Sequence, residues 1–168
     1  MASNIPVVRQ IAWVSILPQA GVLGAFVYLW HFVYPQRAIL LASLSYLLLS
    51  VLLRKFLCQA HNRGIQAIHA EKFEQAILDF EESCRFFEQY QWIDQYRFVT
   101  LLSSSKMSYQ VMALNNIAFC YSQLGNGLQA KYYYQQALQL FPENSVAKVA
   151  LRLLESKDNP SEPNRTAH

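Results

Sequence analysis

The feature that most restricts the fold of this chain is an almost uncharged, apolar beginning. No Asp, Glu, Lys or Arg stands between Arg9 and Arg37 or between Arg37 and Arg54, and all eleven acidic residues lie at Glu71 or later. A helix needs about 20 apolar residues to cross the ~30 Å hydrocarbon layer of a membrane. The pattern therefore predicts a membrane anchor over residues 1–56, followed by a separate polar domain.

The anchor divides into two apolar segments, residues 11–34 and residues 38–54. Pro35 lies between them and stops the first helix, so we expect a tight two-helix transmembrane hairpin with both ends on one side. At ~1.5 Å per residue the uncharged residues 38–53 of the second segment cover only about 24 Å. The segment either gains length from the snorkelling side chains of Arg37, Arg54 and Lys55, or forms a re-entrant or interfacial helix.

The distribution of positive charge predicts which side the hairpin ends face. Short loops rich in Lys and Arg stay cytoplasmic. Arg9 on one flank, with Arg54, Lys55 and Arg63 on the other, outweighs the single Arg37 in the turn. We expect a two-pass integral membrane protein with cytoplasmic N and C termini. A cleaved signal peptide is the alternative, but the first segment is longer than a signal-peptide core and a second follows at once.

Small residues four apart in the first apolar segment would let another helix approach closely. We expect them to pack against the second segment of the same chain, through Ala42, Ser43 or Ser45. Packing against a partner protein is the alternative. These transmembrane packing residues are Ala20, Gly21, Gly24 and Ala25.

Composition argues against nucleic-acid binding and against catalysis. Three of the fourteen basic residues flank the apolar segments, which leaves eleven basic and eleven acidic residues from Lys55 onwards. The three cysteines have no metal-binding spacing, and we expect them to be buried and reduced. Because no nucleophile, metal or phosphate-binding motif is recognisable, we expect no catalytic residue, no metal and no cofactor, and an enzyme or transporter component is the least favoured class.

The domain over residues 57–156 is predicted to be all-α. Apolar positions recur there every three or four residues, and proline is absent until Pro142. Within residues 111–144, small residues stand where two antiparallel helices would approach and bulky ones stand beside them, with a turn at Leu124-Gly125-Asn126. The packing residues are Leu114, Ala118, Tyr121, Ala130, Tyr134, Ala137 and Pro142.

At these positions the segment resembles the tetratricopeptide repeat, which implies a short α-α superhelical domain. Residues 57–90 are similar to a degenerate first repeat, whose packing residues are Gly64, Ala76 and Phe80. Residues 91–110 then form an insertion that is too apolar for a plain loop. We expect a short extra helix in it, and we expect the first helix of the clear repeat to begin near Ser105.

Residues 145–156 are predicted to form a capping helix. Its pattern places Val146, Val149, Ala150, Leu153 and Leu154 on the inward face. We expect disorder over residues 157–168, which are polar and contain two prolines.

The resemblance implies that partners bind the concave face, which first helices line. The candidate lining is Met112, Asn115, Asn116, Phe119, Ser122 and Gln123. Some related domains clamp an acidic C-terminal carboxylate, but the matching positions here hold His61, Ile65, Val146 and Ala150, which disfavours that ligand. Tyr132 and Tyr133 either form an exposed aromatic contact surface or lie against the capping helix.

These features together predict a membrane-anchored adaptor that binds a protein partner, a peptide or helix in the groove, to recruit or assemble a membrane complex. The expected contacts are that partner and the lipid bilayer. A structural subunit of a multi-helix membrane complex is the alternative. Homo-oligomerisation stays open.

Overall fold

The structure is a computed structural model that describes residues 16–158, and the side chains as far as residue 156. Over that range the chain forms nine α-helices and no strand. The predicted helix residues before Ile16 and the expected disordered tail after Asp158 lie outside the described residues. The helices are α1 (Ile16–Val33), α2 (Ala38–Leu57), α3 (Gln59–His69), α4 (Phe73–Gln89), α5 (Gln91–Gln95), α6 (Arg97–Thr100), α7 (Tyr109–Gln123), α8 (Gly127–Leu140) and α9 (Ser145–Asp158).

Helices α1 and α2 form an antiparallel hairpin. A single 3₁₀ turn, Pro35–Arg37, joins them, as the proline predicted. Ala38 and Ala42 are buried against α1, and the indole Nε1 of Trp30 donates a hydrogen bond to Ser45 Oγ at 3.1 Å. Small side chains on α2, rather than on α1, therefore allow the two helices to approach.

Helix α2 is longer than the apolar segment that predicted it. It runs 20 residues to Leu57, which at ~1.5 Å per residue is about 30 Å. By length and composition both hairpin helices could cross a membrane, a test that a signal sequence or the core helix of a soluble protein also passes. Their large apolar side chains point outward, with Leu17, Phe32, Leu40 and Val51 all more than half exposed.

Five of the remaining helices, α3, α4, α7, α8 and α9, stack as two antiparallel pairs and a cap. Helix α3 packs on α4, α4 on α7, α7 on α8, and α8 on α9. The largest buried cluster lies between the two pairs and centres on Phe80, Ile117 and Ala137. The observed domain is therefore an all-α, tetratricopeptide-like stack.

The insertion contains two short helices, α5 and α6, instead of the single one predicted. Helix α7 begins at Tyr109, four residues after the predicted Ser105. Two side chains fix that start: Ser108 accepts a hydrogen bond from Val111 N at 3.2 Å, and the buried Asp94 carboxylate accepts from the backbone N–H groups of Tyr109 and Gln110 at 2.9 and 3.1 Å. Both satisfy amide groups that have no partner inside the helix.

Two residues, Gly125 and Asn126, shape the turn between α7 and α8. Gly125 has a φ of 76°, the left-handed conformation that glycine adopts without steric cost. Asn126 has a φ of −89°, outside the left-handed region. It is the N-cap of α8, and its side chain accepts a hydrogen bond from Gln129 N at 3.1 Å.

The inward face of α9 differs from the predicted one. Ala147 is fully buried against Ala118 and Tyr134, with Ala150, Leu151 and Leu154 packed beside it. Val149 and Leu153, predicted to point inward, are 54% and 65% exposed. The helix also continues to Asp158, two residues into the segment predicted to be disordered.

Candidate protein-binding surface

The clear repeat is held together at the positions where small residues were predicted. Ala118, Ala130 and Ala137 are fully buried between α7 and α8, and Tyr134 is nearly so. Leu114 is buried, the half-buried Tyr121 stacks on Tyr133 with ring centroids 5.5 Å apart, and Pro142 follows α8 on the surface. Helices α4 and α8 both pack on α7, so only a narrow strip of α7 is left accessible.

The predicted first repeat, residues 57–90, shows the same close approach of helices. Gly64 on α3 lies against the ring of the fully buried Phe80 on α4, and a Cβ at Gly64 would come within 2.8 Å of that ring. Ala76 is fully buried and Ser83 nearly so on the same face of α4. The glycine is therefore required by packing, which its position in the repeat pattern predicted.

Five of the six predicted lining residues are accessible on α7. Met112, Asn116, Phe119 and Ser122 are half-buried, and Gln123 is exposed. The Phe119 ring contacts Phe73 at the start of α4, with centroids 6.3 Å apart. None of these side chains is charged.

Asn115 was predicted to line the surface and does not. Its side chain is 8% exposed, its Oδ1 accepts a 2.9 Å hydrogen bond from Asn144 Nδ2, and its Nδ2 contacts Met107 Sδ at 3.4 Å. Asn144 is fully buried and its Oδ1 accepts from Ala147 N at 3.2 Å. The pair joins α7 to the N-terminus of α9, a structural role in place of a binding one.

Helix α9 contributes residues to the surface that the sequence argument assigned to the core. Val146, Val149 and Leu153 are the counterparts of Met112, Asn115 and Phe119 when the repeat pattern is carried one unit onward. Val146 is half-buried, and the other two are exposed. Val149 takes the place of Asn115, which the following helix buries, so its exposure marks the open end of the stack. We define the candidate groove as the outward side chains Met112, Asn116, Phe119, Ser122 and Gln123 of α7 with Val146 and Leu153 of α9.

His61 occupies a position where a carboxylate clamp would need a cation. The imidazole is 7% exposed and lies between the rings of Phe80 and Tyr109, with centroids 5.2 and 5.3 Å away. Burial lowers the pKa of His61 to about 4, and its Nδ1 has no hydrogen-bond partner. The group is therefore neutral near pH 7, which agrees with the prediction that the groove does not bind an acidic terminus.

Tyr132 and Tyr133 have different surroundings, so each predicted alternative holds for one of them. Tyr132 is 53% exposed. Tyr133 packs on Tyr121 and the α9 cluster, and its hydroxyl donates to Glu81 Oε1 at 3.3 Å. Only Tyr132 therefore offers an aromatic contact surface.

The small residues of α1 do not pack on α2, contrary to the favoured prediction. Ala20, Gly21, Gly24 and Ala25 are all exposed, and no atom lies within 4 Å of a Cβ built on either glycine. Helix α2 meets the opposite face of α1, through Ala38, Ala42 and Ser45. The small-residue row is therefore open to another helix or to lipid.

The hairpin and the helical stack are joined by a side chain that sequence reasoning assigned to the membrane surface. Arg54 lies in the last turn of α2. Its Nε donates a hydrogen bond to the carbonyl of Leu101 at 3.1 Å, and its Nη2 donates one to the carbonyl of Leu102. Leu101 and Leu102 are buried, and Leu102 has a φ of 47°. No short-range sequence signal predicts a contact across 47 residues.

In the described part of the chain, no group of His, Cys, Asp and Glu side chains could hold a metal ion. The three cysteines are free and buried. Burial raises the pKa of the Cys58 thiol to about 11, and those of Cys84 and Cys120 to about 12. These thiols are protonated near neutral pH and are poor nucleophiles.

Comparison with protein families identifies one unit of the stack. Residues 111–144 match the tetratricopeptide repeat model. No curated protein and no solved structure is significantly similar to the chain. Tetratricopeptide repeats bind other proteins and are generally scaffolds rather than enzymes, so this match indicates a role in protein–protein interaction.

Proposed function

We propose that this chain is a two-pass, membrane-anchored adaptor whose candidate groove binds an apolar peptide or helix of a partner protein at the cytoplasmic face. The observation that carries the proposal is the accessibility of an uncharged, largely apolar set of side chains, which includes Met112, Phe119 and Leu153, on a stack of repeat type. An amphipathic helix binds such a groove through side chains spaced three and four residues apart.

Membrane anchoring rests on the two apolar helices and on what surrounds them. Their outward side chains are apolar along most of their length, and α1 has no residue buried within the described chain. The exposed apolar surface of α1 and α2 extends along both helices, and a surface so extensive requires lipid or another protein to cover it. Anchoring would hold the groove at high local concentration, so that modest affinity is sufficient.

Site-specific photo-crosslinking in native membranes tests the groove. A photoreactive residue replacing Met112 should capture a polypeptide of one defined size, and Phe119→Glu in the same chain should abolish the product. The matched control is a photoreactive residue at Gln135, which is exposed on α8, outside the groove. Equal capture from both positions, or capture that Phe119→Glu does not change, would refute groove binding.

A second function, as a structural subunit of a multi-helix membrane complex, is favoured by the uncovered small-residue row on α1. Exposed Gly21 and Gly24 are suited to close packing with a foreign helix. Replacing Gly24 with Leu should then release the chain from its complex in mild detergent, while Phe119→Glu should not. The opposite result would favour the adaptor.

A further inference from the structure

Helices α5 and α6, with Tyr96 between them, carry an exposed row of two aromatic side chains and a valine that neither the groove nor the core uses. Trp92, Tyr96 and Val99 are 57%, 58% and 48% exposed. The backbone N–H of Tyr96 donates a hydrogen bond to the carbonyl of Trp92 at 3.0 Å, and the N–H of Val99 donates one to the carbonyl of Tyr96 at 2.8 Å. Each of the three residues therefore lies one helical turn after the previous one. We call these three side chains the insertion patch.

The charges of these two helices are directed away from the patch. The Asp94 carboxylate is buried at the N-terminus of α7. The Arg97 guanidinium donates to the carbonyls of Asp94 and Ser105, both at 2.9 Å, and to that of Lys106. The remaining exposed side chains of α5, Gln91 and Gln95, are uncharged. The outward surface of α5 and α6 is thus aromatic and amide in character.

The patch is held at one end of the hairpin. Helix α6 packs against α1, and Arg54 in the last turn of α2 bonds to the carbonyls of Leu101 and Leu102, directly after α6. Since α1 and α2 are antiparallel, the start of α1 and the end of α2 lie together. Phe56, 64% exposed, adds another outward aromatic ring there. The patch therefore lies where the hairpin would leave the hydrocarbon layer.

From this placement we propose that the insertion patch is embedded in the headgroup region of the bilayer. Trp and Tyr concentrate at this depth because each has an apolar ring and a polar group that stays hydrated. The inference rests on the proposed membrane anchoring. Its consequence is that the helical stack touches the membrane at two places and has a fixed orientation on it.

Fluorescent probes on the full-length chain in phosphatidylcholine vesicles test the depth of the patch. The native cysteines are at most 8% exposed, so a thiol-reactive probe should label only an introduced cysteine. Gln95→Cys lies beside the patch, and Gln135→Cys on α8 is the matched control, since both glutamines are exposed. With a nitroxide near the lipid headgroup, we expect about twofold quenching of the Gln95 probe and almost none of the Gln135 probe.

A third probe separates failure of the patch from failure of the anchor. Leu47→Cys lies within α2 and faces outward, so a nitroxide deep in the acyl chain should quench it. Quenching at Leu47 without quenching at Gln95 overturns the patch alone, whereas no quenching at Leu47 overturns the anchor and the patch with it. A Gln95 probe that is shielded from aqueous iodide but not quenched by lipid means that protein covers the patch, which also overturns the proposal.

Discussion

The buried imidazole of His61 makes the stability of the helical stack depend on pH. Its pKa is about 4 in the folded chain, against about 6.5 in an unfolded one. As the pH falls, the unfolded chain therefore binds a proton first, and unfolding is favoured. Stability from this group is complete above about pH 6.5, declines below it, and stops declining below about pH 4, where the folded state is protonated as well.

The size of the effect follows from the two pKa values. Between pH 7 and pH 5 the linkage relation gives a loss of about 2 kcal/mol in the free energy of unfolding. His61 is buried between two aromatic rings, so little solvent screening reduces this figure. A loss of that size is a large fraction of the stability of a small domain.

Urea unfolding of the full-length chain in detergent micelles, followed by far-ultraviolet circular dichroism at pH 7 and pH 5, measures the loss. His61→Leu replaces the imidazole with an apolar side chain of similar volume and removes the titration, so its loss should be about 2 kcal/mol smaller than that of the native chain. His69→Leu is the matched control, because His69 is exposed on the same helix, and it should behave like the native chain. Equal losses in the His61→Leu variant and the native chain would refute the reasoning.

Three further substitutions and one control test packing and capping by the same urea assay at pH 7. Gly64→Ala should lower the free energy of unfolding by about 1–3 kcal/mol, because the new Cβ meets the buried ring of Phe80. Gly127→Ala is the control: its Cβ meets nothing within 4 Å and should be neutral or stabilising, so similar effects of the two substitutions would contradict the packing argument. Asp94→Asn removes the charge and one of two acceptors at the start of α7, so it should lower the free energy of unfolding by about 1–2 kcal/mol. Amide hydrogen exchange in the first turn of α7 should also become faster, and unchanged exchange would argue against the capping role of Asp94. Asn144→Ala should cost about 1–2 kcal/mol and loosen α9 alone, so uniform loss of protection across the stack would count against that role.

The packing positions of the repeats were predictable because each depends on how two neighbouring helices cross. Gly64, Ala118 and Ala130 stand where two helices cross within a single repeat, and the spacing is fixed by the length of the helices and the turn between them. The same regularity gave the paired-helix fold and the surface residues Phe119 and Ser122. Each of these inferences needed only residues from one repeat.

The predictions that were wrong share a cause, which is contact between distant parts of the chain. Asn115 is removed from the surface by Asn144, 29 residues away. Val149 and Leu153 were assigned inward because they are large and apolar, yet α9 approaches its neighbour closely on its alanine face, at Ala147. Hydrophobicity alone does not distinguish the face with the closest contact from the face that is left open.

The contact made by Arg54 also sets an order of events during synthesis. Leu101, its acceptor, is 47 residues further along the chain, and leaves the ribosome roughly 2–10 s later at ordinary elongation rates. In the proposed topology, the guanidinium is free throughout that interval to act as a positive charge that orients the newly inserted hairpin. In that topology, once the insertion has been translated, the same group leaves the headgroups and joins the finished domain to its anchor.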